Sequence, residues 1–249
     1  MLVFVSNYIS QIYGFFCVIS TVDLILANFV SLQEMVERYN ILYIHGMGGG
    51  ADSRIPSILA ESFRDFPVNV VCRTYSFDPD EAHLQIMSWF DEVRPDLVIG
   101  ESLGSLHALR LPSVPLLFVS PALNASLYFE FMAWLTLIPG VSSIFDRIYK
   151  PSEGDRQPLH FSFKVLRKYL PHRKAALTFL NSKSPTSRHI HAFFGDHDHY
   201  RKSGVVSIKS WKYHIGESFT MYQGSHFMEE EYIYGHLIPK ILSVLSINK

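Results

Sequence analysis

The chain is poor in cysteine. It has two, Cys17 and Cys72, which allow one bridge at most and exclude a disulfide-framed secreted scaffold. A reducing compartment is the default, and a cytoplasmic protein is expected. Cys72 falls within a predicted strand and reads as a small core residue. The chain also lacks net charge. At −1 it carries no field that would draw nucleic acid, and no nucleic-acid partner is expected. Charged residues of either sign make up only 18% against 48% hydrophobic, which excludes a disordered chain and leaves ample material for a core. Internal repeats, low-complexity tracts and linkers are absent. Its 249 residues therefore suit one α/β domain of ordinary size, or two small ones.

The first 34 residues lack basic side chains. Asp23 is the first charged residue and Arg38 the first basic one. A signal peptide would begin with basic residues. A membrane helix would need about 20 mainly apolar residues, and this stretch is broken by Ser6, Asn7, Ser10, Gln11 and Ser20. Three readings stand side by side: upstream sequence before a natural start at Met35, a membrane anchor, or an extra strand pair and helix of the fold. Membrane contact, on this view, runs only through residues 1–30. The domain proper is expected over 35–249.

From Tyr39 the pattern becomes regular. Ile41–Ile44, Val68–Tyr75, Leu97–Ile99, Leu116–Val119, His189–Phe194 and Phe219–Tyr222 are short apolar runs that read as buried strands. Helical spacing covers 54–65, 82–93, the residues after Gly100 as far as Leu111, and 228–246. Alternation of this kind predicts a mainly parallel, twisted sheet with helices on both faces. Between the fourth and fifth strands about 70 residues show no strand pattern, and a loop of that length should carry structure of its own. The uncharged, bulky stretch 131–145 within it reads as part of a helical cap over about 122–188, or else as residues packed on the sheet.

The strongest chemical signal is Gly100-Glu101-Ser102-Leu103-Gly104, placed after a strand and before a helix. In that setting the glycines remove Cβ atoms that would strike neighbouring backbone. The serine hydroxyl then stands exposed at the strand end, above a helix N-terminus that favours negative charge. A second signal is His45-Gly46-Met47-Gly48-Gly49-Gly50 after the first strand. Acyl transfer needs backbone N–H groups aimed at an oxyanion. Leu103 should supply one, and Met47 or Gly48 the other. No Gly-Lys-Ser/Thr ending supports a phosphate loop instead. A third is Gly195-Asp196-His197-Asp198 after the fifth strand, and a fourth is Gly224-Ser225-His226-Phe227 after the sixth. Ser102, Asp198 and His226 then follow the order nucleophile, acid, base. Asp198 is preferred to Asp196, because Gly-x-x-Asp carries the carboxylate past the strand end.

These motifs, in this order, resemble the α/β-hydrolase superfamily, and the size is similar to its compact esterase-like members. The resemblance implies a Ser102–Asp198–His226 triad and oxyanion donors at Met47 and Leu103. From their place beside these motifs, His45, Gly46, Gly48 and Glu101 are expected against a small acyl substrate, as is Trp134 from the apolar cap segment, and no cofactor or metal is expected. Two departures stand out: Ser105 where many members have a glycine, and Pro112 only ten residues after Ser102.

Two rival readings differ in class. His189, His191, Asp196, His197, Asp198 and His199 crowd into eleven residues and could serve a metal-dependent hydrolase. A hydrolase-like fold could also act as a binding protein without catalysis. Finally, eight basic and no acidic residues lie between Arg156 and Gly195, either a solvated helix face or a rim for an anionic substrate or lipid.

Overall fold

The structure, a computed structural model, describes residues 38–151, 153–182 and 189–247. The leader 1–34, Cys17 and the end of the cap span lie outside these residues.

Six strands form one parallel sheet: β1 (Tyr39–Ile44), β2 (Val68–Cys72), β3 (Leu97–Glu101), β4 (Leu116–Val119), β5 (Ile190–Gly195) and β6 (Phe219–Tyr222). The spatial order is β2-β1-β3-β4-β5-β6, with every neighbouring pair parallel. The central strands are apolar throughout because both sheet faces are covered. Their period of two divides them between two cores. Leu42, Ile44, Val98, Leu116, Phe118 and Phe194 enter one. Ile41, Tyr43, Leu97, Ile99, Leu117 and Phe193 enter the other.

Helices seal each face with the apolar stripe their spacing supplies. On the second face lie α1 (Arg54–Ser62), through Ile55 and Leu59, and the C-terminal helix α9. Helix α9 runs through Glu230–Tyr232, a π turn at Ile233–Leu237, and Ile238–Val244. On the first face lie α2 (Pro79–Val93), through Ala82 and Ile86, and α3 (Gly104–Ala108), through Leu106 and Ala108. Asp78 caps α2 by accepting from the Asp80 N–H, as the Asp-Pro-Asp start predicts.

The segment after β4 is helical, as expected of a cap: α4 (Ala125–Leu135), α5 (Val141–Ile148) and α6 (Phe163–Ser182). Two short helices, α7 (His199–Ser203) and α8 (Ile208–His214), sit between β5 and β6, where no helix is predicted from the sequence. Their five and seven residues are too few for a periodic stripe to register. Strand β2 stops at Cys72 instead of Tyr75. Thr74 leaves the ladder to bond the Ala51 N–H and Asp155, and the Tyr75 hydroxyl donates to the His45 carbonyl.

The chain goes from β1 outward to β2, then returns to place β3 on β1's other side. The loops after β1 and β3 therefore diverge at one point on the sheet's C-terminal edge. A crevice opens where strand order reverses in this way. It brings His45–Gly50 beside Ser102.

Candidate active site

Ser102 ends β3 on a left-handed turn, φ 48°, a conformation that costs a non-glycine residue energy. The turn is held by three backbone bonds, Ser102 N–H to Val119, and Ser105 N–H and Ala122 N–H to Ser102. Gly104 behind it admits no side chain: a Cβ there would lie 2.4 Å from the carbonyl oxygens of Ile44 and His45. Ser105, the departure from the glycine pattern, is buried, and its hydroxyl donates to the Gly100 carbonyl at 3.3 Å.

His226 reaches the serine from the loop after β6. Its Nε2 lies 2.9 Å from Ser102 Oγ, and its Nδ1 lies 2.8 Å from Asp198 Oδ2. Asp198 and His226 are both buried. The second Asp198 oxygen accepts the Tyr200 N–H at 2.8 Å, because Asp198 is the N-cap of α7. Asp196 points outward instead and pairs with His197 on the surface. The structure thus brings Ser102, His226 and Asp198 into one hydrogen-bonded chain and leaves Asp196 outside it.

Leu103 and Met47 both line the cavity beside Ser102. Neither backbone N–H donates to a protein group among the described residues. The Gly48 N–H, by contrast, is taken by the Gln157 side chain at 3.1 Å. Gly46 packs against Ser102: a Cβ there would meet Ser102 Cβ at 3.0 Å.

The cavity holds about 630 Å³. Its floor is Gly46–Gly49, Glu101, Ser102 and His226; its roof includes Tyr128, Phe129, Met132 and Tyr149 of the cap. Glu101 lies in the floor, and its carboxylate accepts the Tyr43 hydroxyl at 2.8 Å. Burial raises the Glu101 pKa above the usual carboxylate range, against the Tyr43 bond that lowers it.

Two residues expected against the substrate lie elsewhere. His45 is fully buried, stacked on Tyr75 at 4.2 Å, and is not part of the cavity wall. Burial pushes its pKa down to about 4. Its side chain turns inward because the glycines after it let the backbone alone face the cavity. Trp134 is 55% exposed and packs on Phe163 and the Arg167 guanidinium, outside the cavity. It sits seven residues after Leu127 on α4, a spacing that returns it to that helix's outer stripe.

Several positioning residues carry no sequence signal. Gln157 is buried, and its backbone N–H donates to Gly49 while its amide donates to Ser76. Arg54 donates to the carbonyls of Phe227 and Met228 at 2.6 Å and so holds the loop that carries His226. The Tyr200 ring packs edge-on against His226 at 4.6 Å. Each is a single residue in a loop or helix end, with no motif around it.

The histidine-rich stretch 189–199 splits up. His191 bonds Ser218 and Thr220, His197 pairs with Asp196, and Asp198 serves His226. Among the described residues no group of three or more His, Cys, Asp or Glu is placed to hold a metal ion. The basic run is also mostly committed: Arg156 to Asp52, Arg167 to Glu130, Lys168 to Asp78, Arg173 to the Leu123 carbonyl. Arg156 and Lys168 tie the cap to the domain, while Arg167 and Arg173 hold the cap to itself.

No protein-family model matches the chain, and no curated protein matches it in sequence. Solved structures do match. Est1E from Butyrivibrio proteoclasticus, with ferulic acid bound, is similar with a TM-score of 0.57 at 15% identity, over 84% of this chain and 90% of that one. A carboxylesterase structure from the thaumarchaeon Nitrososphaera gargenis gives 0.55 at 12% identity, over 84% and 92%. Alpha/beta hydrolase domain-containing protein 10 from mouse gives 0.53 at 15% identity, over 83% and 89%. The chain has the α/β-hydrolase fold. In that fold the crevice at the reversal of strand order is where this chain gathers Ser102, His226 and the loop 45–50. Among the described residues no helix is long and apolar enough to cross a membrane.

Proposed function

We propose that the protein is a serine hydrolase that cleaves an apolar acyl ester through an acyl-enzyme. One observation carries this reading: a single buried imidazole bridges Ser102 Oγ at 2.9 Å and Asp198 at 2.8 Å. A serine hydroxyl is a weak nucleophile until a base takes its proton. His226 Nε2 takes that proton as Ser102 Oγ attacks the carbonyl carbon. Asp198 fixes the imidazole tautomer and stabilises the imidazolium. The N–H groups of Leu103 and Met47 receive the oxyanion. Collapse of the tetrahedral intermediate expels the alcohol, which takes its proton from His226. Water then repeats the sequence and releases the acid. The esterase neighbours and the apolar roof of Phe129, Met132 and Tyr149 favour a hydrophobic acyl group.

The test is labelling with a fluorophosphonate together with turnover of esters of increasing chain length. Wild-type protein should be labelled at Ser102. Ser102→Ala should lose labelling and at least about 10³-fold in kcat, with its melting curve unchanged, because members of such a relay act as a unit. Undiminished turnover by Ser102→Ala would remove the proposal.

A further inference from the structure

The cap's outer surface is unlike the rest of the protein. Among the described residues, nine of the fourteen large hydrophobic side chains that stand exposed lie between Leu127 and Tyr149, and all but Tyr128 and Tyr149 lie outside the cavity. On α4 the exposed residues Leu127, Phe131 and Trp134 recur at helical spacing, a continuous apolar stripe facing solvent. Leu137 and Ile138 extend it through the turn, and Ile144 and Ile148 extend it along α5, a helix with no buried residue. Soluble proteins seldom leave such a patch uncovered.

Charge distinguishes the occupant. No exposed position from 127 to 150 is acidic, while Arg147 and Lys150 are both exposed. The two acids of this stretch turn inward: Glu130 pairs with Arg167, and Asp146 accepts the His160 ring and the Phe161 N–H. Among the described residues no acid pairs with Arg147 or Lys150. An apolar face with aromatic residues, cations at its border and its acids withdrawn is complementary to an anionic bilayer. A protein partner would leave these cations needing matched acids in one fixed geometry. We infer that the outer face of α4 and α5, from Leu127 to Lys150, docks on an anionic lipid surface. Helix α4 supplies Tyr128 and Met132 to the cavity and Tyr149 follows directly on α5, so docking sets the cavity beside the lipid. This surface is additional to any contact made by residues 1–30.

The experiment is co-sedimentation of the full-length protein with vesicles of phosphatidylcholine alone or carrying phosphatidylserine, at low and high salt. Binding needs no turnover, so it is read independently of the hydrolase proposal. The expected ratio of bound to free protein is roughly tenfold higher on anionic vesicles, and high salt removes the difference. The pair Phe131→Glu with Ile144→Glu should lose at least that factor while keeping the wild-type melting curve. Should that pair fail to fold, Phe131→Gln with Ile144→Asn replaces it, with the same expectation. Equal binding to both vesicles, or binding unchanged in the variants, would overturn the inference and place lipid contact elsewhere in the chain. So would absence of binding, the result if another segment covers the face. Light scattering that shows a dimer in wild type and a monomer in the pair would assign the face to a second copy instead.

Discussion

At the floor of the cavity Ser102, Asp198 and His226 are each held by contacts that involve backbone. Ser102 hangs on a strained turn at a strand end, Asp198 caps a helix, and the loop carrying His226 is clamped by Arg54 through two carbonyls. At the roof, α4 and α5 present Phe131, Trp134, Ile144 and Ile148 to solvent, and α5 buries no residue at all. The floor is a consequence of the sheet, because strand order and register decide where each loop emerges. The roof is an insertion whose helices α4 and α6 pack inward through Phe129, Ala133, Leu166 and Tyr169. The proposed chemistry falls where the sheet fixes the side chains, and the proposed lipid contact falls on the inserted helices.

The comparison breaks most directly at Asp198. Asp198→Asn should lower kcat by about 10⁴-fold, because the amide cannot hold the imidazole in the tautomer that accepts from Ser102. Asp196→Asn should stay within about twofold, as a surface carboxylate paired with His197 contributes little. Kinetics of the two variants on one ester decide the matter. A reversed order with both proteins folded would remove Asp198 from the relay.

Acid should loosen the floor from behind. His45, His107 and His172 are buried in a row of rings with Tyr75, behind the nucleophile turn. Neither ring nitrogen of His107 has a protein partner among the described residues. Burial pushes the pKa of His45 to about 4 and that of His172 to about 3, from an ordinary 6.5. Below 6.5 the unfolded chain takes up protons that the folded one refuses. Stability is therefore complete above 6.5, declines as pH falls, and is lost through the folded values near 4 and 3. Each such imidazole carries on the order of a few kcal/mol. Melting temperature recorded from pH 8 downward should be level, then fall below 6.5. His107→Phe should flatten the slope, and a wild-type curve level to pH 4 would contradict neutral burial.

How much of this was legible in the sequence follows the same division. The meeting of Ser102, Asp198 and His226 in space was readable because each sits in a short motif just after a strand, and a strand end is a fixed address. All six strands were readable from their apolar runs. The structure adds one distinction between Met47 and Gly48: Gln157, 109 residues away, occupies the Gly48 N–H. No local pattern announces a partner at that distance. His45 and Trp134 were placed against the substrate by their neighbourhood in sequence, yet one turns into the core and the other out to solvent. Side-chain direction in a glycine loop or on an inserted helix depends on tertiary packing, which composition does not specify. Helices α7 and α8 went unread because neither is long enough to show a period.

Gln157 tests whether the floor is pinned from the cap side. Gln157→Ala strands the Gly48 N–H and the Ser76 carbonyl, each buried or half-buried, and should cost roughly 1–3 kcal/mol of stability. Met47 is the residue before Gly48, so its N–H would drift from the oxyanion. Removing such a donor outright costs about 10²–10³-fold in kcat. A displaced donor should cost less, roughly tenfold, with KM little changed. An equal rise in KM with kcat intact would show that Gln157 shapes substrate binding and leaves the oxyanion site alone.

The smallest effect should come from Trp134, and its smallness is what the roof comparison requires. A tryptophan inside the cavity would contribute buried area to substrate binding, and truncation would raise KM by an order of magnitude or more. The observed side chain lies outside the cavity, 5.3 Å from the Phe163 ring and 5.7 Å from the Arg167 guanidinium. Those contacts are half exposed and worth about 0.5–1 kcal/mol of local stability. Trp134→Ala should therefore leave both kcat and KM for a water-soluble ester within about twofold, with only a slight fall in melting temperature. Met132→Ala, two residues earlier and in the cavity wall, should raise KM for long acyl chains more than for short ones. If Trp134→Ala raised KM as Met132→Ala does, the outer stripe of α4 would have to turn inward when substrate binds. Floor and roof would then form one moving site, and the division drawn between them would fail.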